Sequence, residues 1–141
     1  LEEMMKVYLA ARYSRKKEIK SLVPILLEHN IKVTSRWLEE TGSETAHLHE
    51  FTPKFCRHTA YIDLEDIDAA DTFVFFSEDP TIGTPRGGRH AEFGYALGTG
   101  KRIVVIGGEE NIFHYLPQVV HYSDFDSFLE GERIDNVIAS D

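Results

Sequence analysis

The sequence predicts an α/β domain, a three-layer sandwich around a central, mostly parallel five-stranded sheet of Rossmann-like or flavodoxin-like form. Three observations carry this. Short, almost continuously apolar runs such as "KVYLAAR", "DTFVFF" and "KRIVVIGG" have the composition of strands buried on both faces. Segments of helical spacing separate them, and strand–helix alternation of this kind builds a parallel sheet covered by its own crossovers. A length of 141 residues with 42% hydrophobic content suits one core and one domain, expected over residues 4–141.

The elements follow in order. Lys6–Arg12 is the first buried strand. Ser14 stands where an N-cap belongs, ahead of a helix over residues 15–30 in which Ile19, Leu22, Val23, Leu26 and Leu27 recur at helical spacing. Pro24 lies inside that pattern and predicts a kink. Ile31–Trp37 reads as the second strand, and the polar stretch after it as a long surface loop. A helix is expected from Pro53 to Ala70, then the clearest buried strand, Asp71–Phe76. After another loop comes a helix from Gly88 to Gly100, stopped by glycine. "KRIVVIGG" is the fourth strand, "NIFHYLP" a short helical turn, "QVVHYS" an edge strand, and residues 124–140 a closing helix or two.

Charge and cysteine content narrow the partners. With 15 basic and 24 acidic residues the formal charge is −9, which argues against a nucleic acid polymer or an anionic membrane as the main partner. Cys56 is the only cysteine, so no internal disulfide is possible and a reducing, cytoplasmic setting is expected. No apolar run is long enough to span a bilayer. The opening "LEEMM" places the expected native start at Met4 or Met5.

In doubly wound sheets the ligand lies beyond the carboxyl ends of the strands, at the point where strand order reverses. Two segments meet there, "AARYS" and "SEDPTIGTPRGGRHAE". Gly87 and Gly88 ahead of a helix can present backbone N–H groups to an anion, with Arg86 and Arg89 as guanidinium forks. An ordinary loop-to-helix turn with solvated arginines explains the same residues. Neither a Walker sequence nor a dinucleotide fingerprint is present.

Glu92 stands alone among Ala91, Phe93, Gly94, Tyr95, Ala96 and Leu97. That helix reads as buried on most sides, with Gly94 and Gly98 permitting close approach of another backbone. A carboxylate held at strand ends within a covered sheet is placed to act as nucleophile or base. In "YIDLEDIDAAD", Glu65, Asp66 and Asp68 fit a solvated acidic face, while spacing leaves Asp63 open. Two carboxyl groups suit glycosidic chemistry, one attacking the sugar carbon and the other handling the leaving group's proton. Tyr13, Trp37 and Phe76 are available as aromatic walls, or as core.

These residues give the chain a resemblance to the nucleoside 2-deoxyribosyltransferase family and its relatives that hydrolyse deoxynucleoside 5′-monophosphates. It runs from Val7 to about Leu116 and rests on "VYLAARYS", "DLEDIDAAD" and "HAEFGYALGTGKRIVVI". The resemblance implies that Glu92 is the nucleophile at C1′ of the sugar. It implies that Asp63 contacts sugar or base and assists proton transfer, and that Tyr8 orients Glu92. Where the transferases commonly carry an Asp six residues before the nucleophile, this chain has Arg86. With Arg12, Ser14 and Arg15 after the first strand, that departure makes a 5′-monophosphate a natural substrate. Arg12, Ser14, Arg86, Gly87, Gly88, Arg89 and His90 are thus the expected substrate contacts. Asn111 or His114 is the expected residue completing a neighbouring subunit's site in a homodimer or larger assembly.

His47 and His49 read as solvated, and neither a metal nor another cofactor is expected. The leading expectation is transfer of a 2-deoxyribosyl group between nucleobases through a Glu92 ester. Hydrolysis of (deoxy)nucleoside 5′-monophosphates is the alternative, and a non-catalytic nucleotide sensor is the rival from another class.

Overall fold

The computed structural model describes residues 4–40, 51–79, 81 and 87–139, with side chains through Glu132. Five strands form one sheet: β1 (Met5–Ala10), β2 (Ile31–Val33), β3 (Thr72–Phe76), β4 (Arg102–Ile106) and β5 (Val119–Tyr122). Their order is β2-β1-β3-β4-β5. Every pairing is parallel, so the sheet is wholly rather than mostly parallel. The helices are α1 (Lys16–Lys20), α2 (Val23–Glu28), α3 (Pro53–Ala69), α4 (Gly88–Gly98) and α5 (Phe125–Ala139). Both faces of the sheet are covered, as the buried strands require. β3 has no exposed position along "TFVFF", and Ile19, Leu26 and Phe128 from α1, α2 and α5 are completely buried. The strand order reverses between β1 and β3, which puts the crevice at the carboxyl ends of those two strands.

Most boundaries follow the sequence reading, and the differences have local causes. The expected helix over residues 15–30 is two short helices, because Pro24 sits in the first turn of α2, where its missing N–H costs nothing. Ser14 is not an N-cap. It lies exposed in a 3-10 turn, Tyr13–Arg15, and α1 starts after Arg15 with no side-chain cap. Thr52 does cap α3, its Oγ1 accepting from the Phe55 N–H at 3.1 Å.

The second strand ends early, at Val33 rather than Trp37. Side chains then take over its ladder with β1. Ser35 Oγ accepts from the Leu9 N–H at 2.7 Å, and the Trp37 indole donates to the Leu9 carbonyl at 2.8 Å. Trp37 is therefore core, not a pocket wall, and both backbone groups of a buried strand residue are satisfied. Beyond the sheet, the chain turns into a 3-10 helix, Arg36–Glu39.

The reading of α4 as buried on most sides is corrected. Phe93, Ala96 and Arg89 face inward, while Gly94 and Gly98 are exposed with nothing near the place a Cβ would occupy. The α4 helix is amphipathic and rests on β1, β3, β4 and α3. Close approach requires glycine elsewhere, at Gly107, where φ is +110° and an added Cβ would meet Ser77 Cβ at 2.9 Å.

The Ser35–Leu9 contact yields a direct test. Ser35→Ala strands a buried N–H and should lower the unfolding free energy by about 1–3 kcal/mol, measured by urea titration. Thr52→Ala, at an exposed cap, should cost about 1 kcal/mol.

Candidate active site

Tyr8 lies in the middle of β1, opposite Phe73 of β3 in register, and the two rings stack at 5.6 Å with an interplanar angle of 7°. That stacking aims the Tyr8 hydroxyl toward α4, where it donates a hydrogen bond to Glu92 Oε2. Glu92 is in the second turn of α4, not the first, so the helix N-terminus acts on it only weakly. Phe93, the next residue, packs edge-on against Phe73 and Phe75 at 6.2 and 5.8 Å and anchors this stretch of helix on the sheet.

Asp63 enters from α3, which packs against α4. Its Oδ1 is buried and has no hydrogen-bond partner among the described residues. Burial raises its pKa to about 8, and the negative charges of Glu92, Glu40 and Asp66 add to the effect. Burial likewise lifts Glu92 to about 7, against the downward pull of its bonds to Tyr8 and Asp63. Tyr8 itself is pushed well above the usual phenol range, by burial first and then by Glu92 and Asp63. The phenol therefore stays a donor. Near neutral pH the arrangement favours one proton shared between the two carboxyl groups, with Tyr8 steadying the charge on the Glu92 side.

The acidic segment of α3 is more differentiated than its spacing implied. Asp66, expected on a solvated face, is buried and accepts from both the N–H and Nε of Arg36, each at 2.8 Å. It ties α3 to the turn after β2. Glu65 pairs with the same arginine at 3.0 Å, and Asp68 accepts from the Tyr95 hydroxyl at 2.7 Å.

On the other side of Glu92 the expected anion cradle is only partly available. Gly87 takes a left-handed φ of 89° and Gly88 opens α4, which has no side-chain cap. Arg86 lies outside the described residues, as do His47 and His49. Arg89 is corrected: its guanidinium is turned inward, 6% exposed, and forks onto Glu110 at 2.7 and 3.0 Å. It is not free to clamp a phosphate. His90 is half-buried, with Nδ1 3.2 Å from the Asn111 amide nitrogen, and burial and Arg89 lower its pKa. Asn111 is engaged a second time, its Oδ1 accepting from the Phe113 N–H at 2.9 Å. His114 is wholly buried beside Phe75 and Phe93, an internal residue in place of the exposed one a subunit contact needs.

Arg12 and Ser14 follow the exit of β1, Arg12 half-buried and Ser14 exposed. Arg15 stacks over Phe76 at 5.7 Å and pairs with Glu18 and Glu78. Sequence reasoning missed Glu110, Glu78 and Ser35, all in loops that leave strand ends. Their position after a strand is the one signal that points to them. Among the described residues no cluster of His, Cys, Asp and Glu is placed to hold a metal ion. No helix there is long and apolar enough to cross a membrane.

Comparison with known proteins gives the fold and stops there. Neither a protein-family model nor a curated protein sequence matches this chain. Among solved structures it is similar to the CMP N-glycosidase BcmB of Clostridium botulinum, with 23% identity and a TM-score of 0.58, over 92% of this chain and 98% of that one. It is also similar to a conserved protein from Enterococcus faecalis V583, with 17% identity and a TM-score of 0.61, over 94% and 99%.

The raised carboxyl groups set a sign for stability. Asp63 keeps in the fold a proton that the unfolded chain gives up near its ordinary value. Its contribution is intact below about pH 4 and is lost as pH rises toward 8. Asp63→Asn should therefore raise the melting temperature at neutral pH, by roughly 3 °C for each kcal/mol recovered. The gap from the native protein should widen between pH 5 and pH 8 in a thermal-denaturation series.

Proposed function

We propose that this protein cleaves the N-glycosidic bond of a 2′-deoxynucleoside or nucleoside 5′-monophosphate, carrying the sugar on Glu92. The observation that bears most weight is the unequal pair: Glu92 accepts from Tyr8, whereas the buried Asp63 Oδ1 has no partner among the described residues, and burial favours a proton on Asp63. Paired carboxyl groups whose environments push their proton affinities apart supply the acid and the nucleophile of glycosidic chemistry.

In the first step Glu92 attacks C1′. A C1′–oxygen ester bond forms as the C1′–nitrogen bond breaks, and the Asp63 proton goes to the departing base. Tyr8 holds the attacking carboxylate in place and keeps its own proton. In the second step a nitrogen of another base, or the oxygen of water, attacks C1′ from the face the first base left. The ester opens, Glu92 regains its charge, and the incoming proton passes to Asp63. Two inversions at C1′ leave the configuration retained.

Transfer to a second base is the leading form of this reading, from the resemblance of "HAEFGYALGTGK" to the deoxyribosyltransferases. Hydrolysis of a 5′-monophosphate is favoured by a separate observation, the similarity of fold to a CMP N-glycosidase. In that version Arg12, Ser14, Arg86 and the Gly87–Gly88 turn hold the phosphate, since Arg89 is committed elsewhere. The homodimer of this reading is placed at the turn after β4, where Ile112, Phe113 and Tyr115 are exposed beside Asn111.

Incubation with deoxyinosine plus adenine, and separately with CMP and each deoxynucleoside 5′-monophosphate, separates these forms by chromatography of free base and new nucleoside. Base exchange establishes transfer, base release from monophosphates alone establishes hydrolysis, and silence in every arm sinks the enzymatic reading in favour of the sensor. Glu92→Gln should lower turnover by about 10³-fold or more while substrate binding survives. Mass spectrometry of the native protein quenched during turnover should show a pentosyl or pentosyl-phosphate adduct on Glu92.

The productive form needs Glu92 ionised and Asp63 protonated. The pH dependence of kcat/KM should accordingly be a narrow bell, rising near pH 7 and falling near pH 8. Asp63→Asn should remove the alkaline limb along with most of the activity.

A further inference from the structure

Arg89 and Glu110 touch no reacting group, yet they are among the most tightly held charges in the described residues. Besides its fork to Glu110, Arg89 donates to the Phe76 carbonyl at 3.1 Å, and its guanidinium lies 4.7 Å over the Phe75 ring. Glu110 Oε2 also accepts from the Glu78 N–H at 3.0 Å, and the Glu110 N–H donates to His114 Nδ1 at 3.0 Å. Burial pushes the Glu110 carboxyl up, and the bonds from Arg89 and Glu78 outweigh it, so the group is held below the ordinary carboxylate range. One ion pair thus joins the first turn of α4 to the ends of β3 and β4.

That joint has a particular place in the site. The α4 helix begins behind Gly87 without a capping side chain, and its first turn is fastened by the Arg89 fork, with His90 beside Asn111 as a lesser contact. Glu92 lies three residues on, one turn along the same side of the helix, and its hydrogen bond to Tyr8 crosses from α4 to β1. A shift of α4 along the sheet would open that bond first.

We propose that Arg89 and Glu110 are a positioning pair for Glu92: they set the height of α4 on the strand ends, and with it the carboxylate's approach to Tyr8 and to the sugar carbon. The proposal rests on Glu92 being the nucleophile. It assigns Arg89 a role opposite to phosphate binding, since its charge is spent inside the fold.

Breaking one partner of a buried pair leaves an uncompensated charge, whereas replacing both with apolar side chains of similar volume often restores stability. The deciding variant is therefore the double change Arg89→Met with Glu110→Leu, beside Arg89→Lys, which keeps the charge and gives up the fork. We expect the double variant to melt near the native protein while kcat stays down by about 10²-fold, the scale of an ångström of misplacement, with KM little changed. If kcat returns with the melting temperature, the pair is structural only and the proposal fails. Unaltered kcat in Arg89→Lys overturns it as well.

A second readout does not need a substrate. Carbon-13 NMR of labelled glutamate carboxyl groups should find Glu92 titrating near pH 7 in the native protein. In the double variant it should move toward the range of an exposed glutamate, because a displaced helix admits water. An unmoved Glu92 titration refutes positioning whatever the activity. Absence of turnover by the native protein on every nucleoside and nucleotide refutes the functional reading instead, and leaves the titration to judge the pair.

Discussion

Two carboxyl groups occupy a space that tolerates one negative charge, and much of the architecture around them answers to that. Asp63 and Glu92 arrive from different helices, α3 and α4, which pack on the same face of the sheet. Both are withdrawn from water; the charge of Glu92 discourages Asp63 from ionising, while the bond from Asp63 favours the ionised form of Glu92. What breaks the symmetry is Tyr8. Its hydroxyl donates to Glu92, while nothing described donates to Asp63 Oδ1. The arrangement therefore favours the proton on Asp63 and the charge on Glu92, two unlike states without any difference in their own chemistry. Keeping such a pair inside the fold costs stability, as active sites commonly do.

The sheet makes this affordable because its centre is stiff. Tyr8 is stacked on Phe73 within a fully buried parallel ladder, so the donor cannot turn away. Phe93 wedges α4 against the same strands from above. The strand-order reversal between β1 and β3 puts the carboxyl pair near the place where doubly wound sheets hold their ligands. Rigid elements carry Tyr8, Asp63 and Glu92, and the residues that follow the strand ends come from turns.

How much of this can be read from the sequence depends on the scale of the interaction that decides it. Strands such as "TFVFF" are legible because burial on two faces leaves a continuous apolar run, whereas the helix over Pro53–Ala69 is read from apolar residues that are only loosely periodic. Glu92 stood out for a related reason, a charged residue in an apolar helix flanked by glycine. Its pairing with Tyr8 came from resemblance, since no spacing rule links residues 84 apart. The failures share a cause too. Asp66 and Arg89 look solvated in one dimension, and only their partners, Arg36 and Glu110, far along the chain, make their burial tolerable. Trp37 closed the second strand too late on paper because a side-chain donor can imitate a ladder bond, and composition does not distinguish the two.

The sheet's margins have a consequence of their own. Its outer strands, β2 and β5, are only three and four residues long, and at β2 the chain leaves the plane as soon as Ser35 and Trp37 have taken up Leu9. Among the described residues, little unpaired backbone is offered along either border. A chain of this composition can thus be crowded with copies of itself without presenting a long template for strand addition, the route by which open parallel sheets otherwise seed fibrils.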